Sequence, residues 1–195
     1  MGSGPLAISE PRYLIVDVEA TCSRDGAVPR NEMEIIEIGA VILERTDLRI
    51  AGTFQTFVRP VRHPVLTDFC RDLTTIRPDQ VATAPGFPEA LAAFREWSAG
   101  FAPWRFSSWG AYDRNQFRQD CAYHGEPYPF PEPHLNIKAA FSAVLDTPHR
   151  FGMGGALREL GLPLDGTHHR GLDDARNIAR IVATLLRDPR PHGRA

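Results

Sequence analysis

The sequence lacks the features that mark secreted and membrane-spanning proteins. Its three cysteines, Cys22, Cys70 and Cys121, are odd in number and widely spaced, which fits neither a disulfide framework nor a zinc knuckle. No apolar run approaches the roughly 20 residues needed to span a bilayer. The first ten residues lack the basic and apolar regions of a secretion signal. We therefore expect a cytoplasmic protein with no membrane partner.

An excess of basic residues is also missing. The chain carries 22 Lys and Arg against 24 Asp and Glu, a formal net charge of −2. A protein that holds nucleic acid by long-range charge alone is usually basic, so the balance argues against that class. The charge balance is compatible with an enzyme that binds a nucleic acid locally through metal ions.

The composition is that of an ordinary folded domain. Of its 195 residues, 43% are hydrophobic and 24% are charged, and the length suits one domain with a sizeable core. We predict a domain over residues 11–187. Residues 1–10 are expected to be disordered or a remnant of the expression vector, and residues 188–195 to form a flexible tail.

Hydrophobic periodicity predicts an α/β fold. β-Branched and aromatic residues favour strands over residues 12–20, 35–43, 53–58 and 105–109. The short connections among the first three indicate an antiparallel meander. Apolar residues at helical spacing predict helices over residues 87–97, 113–123, 137–145, 153–160 and 172–186. A meander followed by alternating helices and strands implies a mixed sheet flanked by helices.

Two acids interrupt the first predicted strand. Asp17 and Glu19 stand two residues apart in YLIVDVEA, and side chains at that spacing share one strand face. Like charges so placed repel each other, and burying either alone costs several kcal/mol. A divalent cation would remove that cost. The alternative is an exposed strand face whose acids form salt bridges.

A third acid, Asp113, falls on a helical stripe with Phe117, Cys121 and His124, which indicates that it faces inward. The alternative is an acid in the first turn that only complements the helix dipole. The stripe favours a functional role.

The last predicted helix supplies a fourth acid. Asp174 lies at the edge of its apolar face, where the side chain can reach the sheet without being fully buried. Asp173 points the other way and is expected to be a cap or first-turn acid. His169 lies five residues before Asp174, although either member of the pair His168-His169 could be an ordinary surface histidine.

These clusters together have the composition of a two-metal phosphodiester site. They run in the order D-x-E, D and H-x(4)-D. Carboxylate oxygens suit Mg²⁺ or Mn²⁺, and a histidine titrates near neutrality.

The motifs resemble those of the DEDDh exonucleases, the DnaQ-like branch of the ribonuclease H-like fold, and most of all the Eri-type 3′–5′ exoribonucleases. The similar segments, from about residue 13 to 186, are YLIVDVEATC, EIIEIGAVIL, TFQTFVRP, LTDFCRDLTTIRPDQV, SSWGAYDRNQF and HHRGLDDARNIARI. The resemblance implies a ribonuclease H-like mixed five-stranded sheet with its first three strands antiparallel, flanked by helices.

The resemblance also implies an activity and its residues. Two Mg²⁺ or Mn²⁺ ions are expected at four acids, Asp17, Glu19, Asp113 and Asp174. His169 is expected to act as general base. The implied reaction releases nucleoside 5′-monophosphates from single-stranded or overhanging 3′ ends, of RNA in preference to DNA. Main-chain groups around Ala20 and Thr21 are implied to contact the terminal ribose.

Other residues are candidates for substrate contacts. Tyr112, Phe69 and Trp109 are suited to stacking on a base, with core packing as the alternative. Arginines that flank the motifs are candidates for phosphate contacts, with solvated surface positions as the alternative: Arg24, Arg30, Arg114, Arg118, Arg150 and Arg170.

The sequence is compatible with two other functions. One is a catalytically silent nuclease-fold module that binds RNA or a protein, although such a module is expected to have lost some of the acids. The other is an exonuclease that trims short oligonucleotides or DNA, or proofreads for a polymerase.

Overall fold

A computed structural model describes residues 4–188. Its strands, in chain order, are β1 (Arg12–Ala20), β2 (Ile35–Glu44), β3 (Ile50–Phe57), β4 (Arg105–Ser108) and β5 (Leu135–Asn136). Its helices are α1 (Asp68–Thr74), α2 (Pro78–Ala82), α3 (Phe87–Ala99), α4 (Tyr112–His124), α5 (Ile137–Val144), α6 (Met153–Glu159) and α7 (Gly171–Arg187).

The five strands form one mixed sheet in the order β3-β2-β1-β4-β5. The pairs β1–β2 and β2–β3 are antiparallel, whereas β4 runs parallel to β1 and β5 parallel to β4. The predicted five-stranded sheet with an antiparallel first half is therefore confirmed. The sequence pattern did not locate β5, because two residues beside a proline-rich loop are too few to show a period.

Side chains of the central strand β1 alternate between the two faces of the sheet. Tyr13 and Ile15 are buried in the core formed with α5, α6 and α7. Leu14 and Val16 are buried in the opposite core, formed with α3 and α4. The period of two therefore directs the next odd-numbered side chains, Asp17 and Glu19, to the face covered by α7.

The helices largely match their predicted positions, and two more were not predicted. α7 buries a continuous stripe against the sheet, formed by Leu172, Ala175, Ile178, Ala179, Val182 and Leu185. The short helices α1 and α2 lie within residues 66–82, a segment with too few helical repeats to be recognised. None of the helices within residues 4–188 is long and apolar enough to cross a membrane.

The start of the described chain makes two contacts with the domain. Leu6 is buried, and the Tyr13 hydroxyl donates to its carbonyl oxygen at 2.7 Å. Glu10 accepts a hydrogen bond from Arg105 at 2.8 Å. One leucine side chain and one ion pair thus attach residues 4–10 to the domain, and the predicted boundary at residue 11 stays a prediction. Residues 1–3 and 189–195 lie outside the described part of the chain.

Candidate active site

The four predicted acids lie together in one pocket of about 380 Å³. Carboxylate oxygens of Asp17, Glu19 and Asp174 lie within 4.8 Å of one another. Asp113, from the first turn of α4, lines the same pocket and accepts the Val18 N–H at 3.0 Å through Oδ1. The structure thus brings together side chains from β1, α4 and α7 that are up to 157 positions apart in the sequence (174 minus 17).

Burial and repulsion between like charges disfavour the ionised form of the carboxylates in this pocket. Burial, followed by the charges of Asp113 and Glu19, raises the pKa of Asp17 well above its ordinary value. Burial and then the charge of Asp174 raise the pKa of Glu19 to about 9. Burial also raises the pKa of Asp113 to about 6, although hydrogen bonds from Val18 and its own backbone oppose the shift. Buried oxygen ligands that repel one another fit a hard divalent cation such as Mg²⁺ or Mn²⁺.

Asp174 is more deeply placed than predicted. The side chain was expected at the edge of the apolar face without full burial, but the residue is only 4% exposed. The beginning of α7 lies close against β1 and β2, which encloses the side chain. Asp173 is a partly exposed first-turn acid, as predicted, and accepts the Thr167 N–H at 2.9 Å.

Both histidines of the tandem pair line the pocket. The His169 backbone has a positive φ of 62°, and its N–H donates to Asp174 Oδ2 at 3.0 Å. The His168 ring also contacts that oxygen, with Nδ1 at 2.8 Å. Burial, and then the neighbouring His168, lower the pKa of His169. The sequence pattern singled out His169, whereas the structure places both rings at the site.

Glu37 was not recognised from the sequence and ties the beginning of α7 to the sheet. It is fully buried on β2, and its carboxylate accepts from Arg170 Nε at 3.0 Å and from the Gly171 N–H at 3.2 Å. Gln55 on β3 donates to the same group. Arg170, a candidate phosphate contact, is therefore paired within the protein. The missed signal was an acid inside an apolar strand, the same signal that identified Asp17.

The predicted substrate-contact residues divide into two groups. Ala20, Tyr112 and Trp109 line the pocket, and Tyr112 is 46% exposed. Thr21 is buried and is not among the pocket-lining residues. Its N–H donates to the Glu34 carbonyl oxygen at 2.8 Å, and its hydroxyl accepts the Glu34 N–H at 2.9 Å. The Thr21 N–H and hydroxyl therefore hold the segment that precedes β2, and the predicted main-chain contact of Thr21 with a terminal ribose stays a prediction.

Two further substrate-contact candidates are engaged elsewhere. Phe69 is not among the pocket-lining residues, and the guanidinium of Arg24 lies 5.2 Å from its ring centroid. Arg118 forms an ion pair with Glu132. Within the described structure, both side chains therefore have partners in the protein itself.

Comparison with known proteins gives one family and several curated relatives. The exonuclease family model RNase_T matches residues 14–182. Human 3′-5′ exoribonuclease 1 is 36% identical over 183 residues, which are 89% of this chain and 52% of that protein. The 3′-5′ exonuclease eri1 of Schizosaccharomyces pombe is 32% identical over 203 residues. The match covers 89% of this chain and 68% of that protein. The chain spans about half the length of 3′-5′ exoribonuclease 1 from human, rat and mouse.

Solved structures with a similar fold are also found. The nuclease domain of 3′hExo, described as a DEDDh family member and bound to rAMP, has a TM-score of 0.87 at 34% identity, covering 92% of this chain and 94% of that one. A 3′-exonuclease whose structure is described as showing 3′-end-specific recognition of a histone mRNA stem-loop has a TM-score of 0.87 at 31% identity. The match covers 96% of this chain and 67% of that one.

Proposed function

We propose, from its membership of the DEDDh branch of the RNase_T exonuclease family, that this chain is a 3′–5′ exonuclease. The proposed products are nucleoside 5′-monophosphates. The observation that carries the proposal is the meeting of Asp17, Glu19, Asp113 and Asp174 in one pocket. A catalytically silent module would not be expected to keep all four acids, since their mutual repulsion costs stability.

We propose RNA as the preferred substrate. Support comes from the relatives, which include proteins named 3′-5′ exoribonuclease and a nuclease domain solved with rAMP. A single-stranded or overhanging 3′ end suits a pocket of about 380 Å³, which has room for about one nucleotide.

The four acids would hold two divalent cations, Mg²⁺ or Mn²⁺. Such ions, when bound, stabilise the charge that develops on the phosphate and lower the pKa of a water nucleophile. His169 lines the same pocket, where its ring nitrogen would accept the proton of the attacking water as general base. The hydrogen bond from its N–H to Asp174 fixes the loop that carries the ring.

The walls of the pocket would hold the terminal nucleotide. We propose that a main-chain group of Ala20 meets the terminal ribose and that the half-exposed Tyr112 offers its ring to a base. Trp109 contributes a wall but is anchored in the core, because its indole N–H donates to the Phe151 carbonyl oxygen at 3.2 Å.

End-labelled oligonucleotides test this function. With Mg²⁺ or Mn²⁺, 3′-labelled RNA should release labelled mononucleotide at once, and 5′-labelled RNA should shorten stepwise. A matched DNA strand should be degraded more slowly. Tight RNA binding without metal-stimulated hydrolysis would favour the silent module. Cleavage confined to dinucleotides would replace the proposal with an oligonucleotide-trimming enzyme.

A further inference from the structure

His168 has no role in the proposed reaction, yet it belongs to a second group of potential metal ligands. One ligand atom from each of His168, His169 and Asp174 lies within 4.8 Å of the others. Nδ1 of His168 is 2.8 Å from Asp174 Oδ2, and the two imidazole rings stack with centroids 4.0 Å apart. Two imidazoles and one carboxylate are therefore already gathered at one point.

The loop that carries these groups is held by several hydrogen bonds. The N–H groups of Thr167 and His169 donate to the side chains of Asp173 and Asp174, respectively. The Asn177 side chain accepts the Asp165 N–H at 3.1 Å and donates to the Asp165 carbonyl oxygen at 2.8 Å. His168 and His169 thus lie on a loop that is hydrogen-bonded to the first turns of α7, and Asp174 lies in the first of those turns. Little ordering of these three potential ligands is therefore needed when they bind an ion.

The chemistry of this donor set differs from that of the four acids. Carboxylates alone suit Mg²⁺ or Mn²⁺, whereas two imidazoles with one carboxylate are typical of Zn²⁺, which takes three protein ligands and leaves a fourth position for water. We propose that His168, His169 and Asp174 form a Zn²⁺ site that shares Asp174 with the four-acid cluster.

Occupation of this site has a consequence that rests on the proposed function. Zn²⁺ bound there would take Asp174 from the four-acid cluster and His169 from its role as general base. Zn²⁺ is therefore expected to inhibit the Mg²⁺-dependent hydrolysis. The binding of Zn²⁺ itself does not depend on any nuclease activity.

Binding is tested on the metal-free 195-residue chain without nucleic acid. Titration with ZnCl₂ in a calorimeter should show a saturable site, and Co²⁺ in place of Zn²⁺ should give the visible absorption of a nitrogen-ligated ion. Loss of an outer partner alone weakens metal sites by about 10–100-fold, so His168→Asn should weaken Zn²⁺ binding at least about tenfold. His149→Asn, a matched change at an exposed histidine, should leave it unaltered.

Three outcomes decide the proposal. An equal Zn²⁺ affinity in the wild type and His168→Asn would overturn it, as would the absence of saturable binding. Zn²⁺ binding that is abolished by Asp17→Asn but kept in His168→Asn would place the ion among the acids and also overturn it. If Zn²⁺ binds as proposed but no nucleic acid is cleaved under any condition, the zinc site stands and the exonuclease proposal fails.

Inhibition gives a second readout. The Zn²⁺ concentration that halves the hydrolysis rate, measured relative to the rate of each variant without Zn²⁺, should rise at least about tenfold in His168→Asn, in line with the loss of a ligand. Inhibition at the same Zn²⁺ concentration in both proteins would contradict the inhibitory role.

Discussion

Gly39 on β2 and Gly171 at the beginning of α7 are in direct backbone contact. A Cβ atom on Gly39 would lie 1.9 Å from the Gly171 carbonyl carbon, and one on Gly171 would lie 2.9 Å from the Asp17 carbonyl oxygen. The absence of both side chains allows α7 to lie against the strand pair. Since Asp174 is in the first turn of that helix, this contact sets how closely its carboxylate approaches Asp17 and Glu19.

The substitution Gly39→Ala should therefore damage both fold and site. The new methyl group would meet backbone rather than a movable side chain, so we expect a loss of about 3 kcal/mol in the free energy of unfolding, the upper end for overpacking. Urea denaturation measures this loss, and the nuclease assay should show a parallel loss of activity.

The matched control is Gly154→Ala in α6, where the nearest atom to a new Cβ is the end of the Arg158 side chain at 3.8 Å. Alanine is the better helix former, so this variant should be as stable as the wild type or more stable. A Gly39→Ala protein with wild-type stability and activity would refute the role of the contact.

Replacing one acid should stabilise the metal-free protein. Because burial and neighbouring carboxylates raise the pKa of Asp17, its ionised form is disfavoured in the folded state near neutral pH. Asp17→Asn should raise the melting temperature without metal, yet Mg²⁺ should stabilise the variant much less than the wild type. Thermal denaturation in EDTA and in Mg²⁺ measures both effects. A variant less stable than the wild type in EDTA, with an unchanged response to Mg²⁺, would argue against a metal site.

Removal of the proposed general base should separate catalysis from metal binding. His169→Ala should lower the rate of hydrolysis by about 10²–10⁴-fold, the usual contribution of general base catalysis. Its stabilisation by Mg²⁺ should persist, since the four acids remain. Single-turnover rates and melting temperatures provide the two measurements. A rate within threefold of the wild type would exclude the proposed role.

A buried acid away from the pocket gives a pH dependence. Asp120 is 1% exposed, and burial raises its pKa to about 6 despite hydrogen bonds from Gln116 and the Ile35 N–H. An unfolded chain has the ordinary aspartate pKa of about 3.9. The folded state therefore binds the Asp120 proton more tightly than the unfolded state does. The stability that this protonated group contributes is fully present below about pH 4 and is lost as the pH rises through about 6.

The matching variant is Asp120→Asn. Between pH 4 and 6, the free energy of unfolding should fall in both proteins. The fall should be about 2 kcal/mol smaller in Asp120→Asn than in the wild type. Urea titrations at several pH values measure this difference, and comparison at each pH cancels the titration of the site acids. Parallel curves for the two proteins would show that Asp120 titrates normally.

The sequence predicted those parts of the site that follow from a regular period. Strand alternation put Asp17 and Glu19 on one face, and helical periodicity distinguished Asp174 from Asp173. Inward-facing Asp113 is also confirmed, since it is buried together with Phe117.

Contacts between distant segments could not be predicted in this way. Glu37 and Arg170 are 133 positions apart, and no local pattern joins them. The Thr21 N–H donates to the Glu34 carbonyl oxygen. This hydrogen bond depends on how the loop between β1 and β2 folds back on the end of β1. The full burial of Asp174 follows from the packing of α7 on the sheet, which a helical period alone does not determine.

The most direct test of the four-acid site is the product released from a 5′-labelled RNA strand in Mg²⁺ by the wild type and by Asp113→Asn. We expect stepwise shortening with nucleoside 5′-monophosphate as product for the wild type. Asp113→Asn should remain folded and show no shortening above background. Equal rates for the two proteins, or cleavage that persists in EDTA, would refute a metal-dependent site at the four acids.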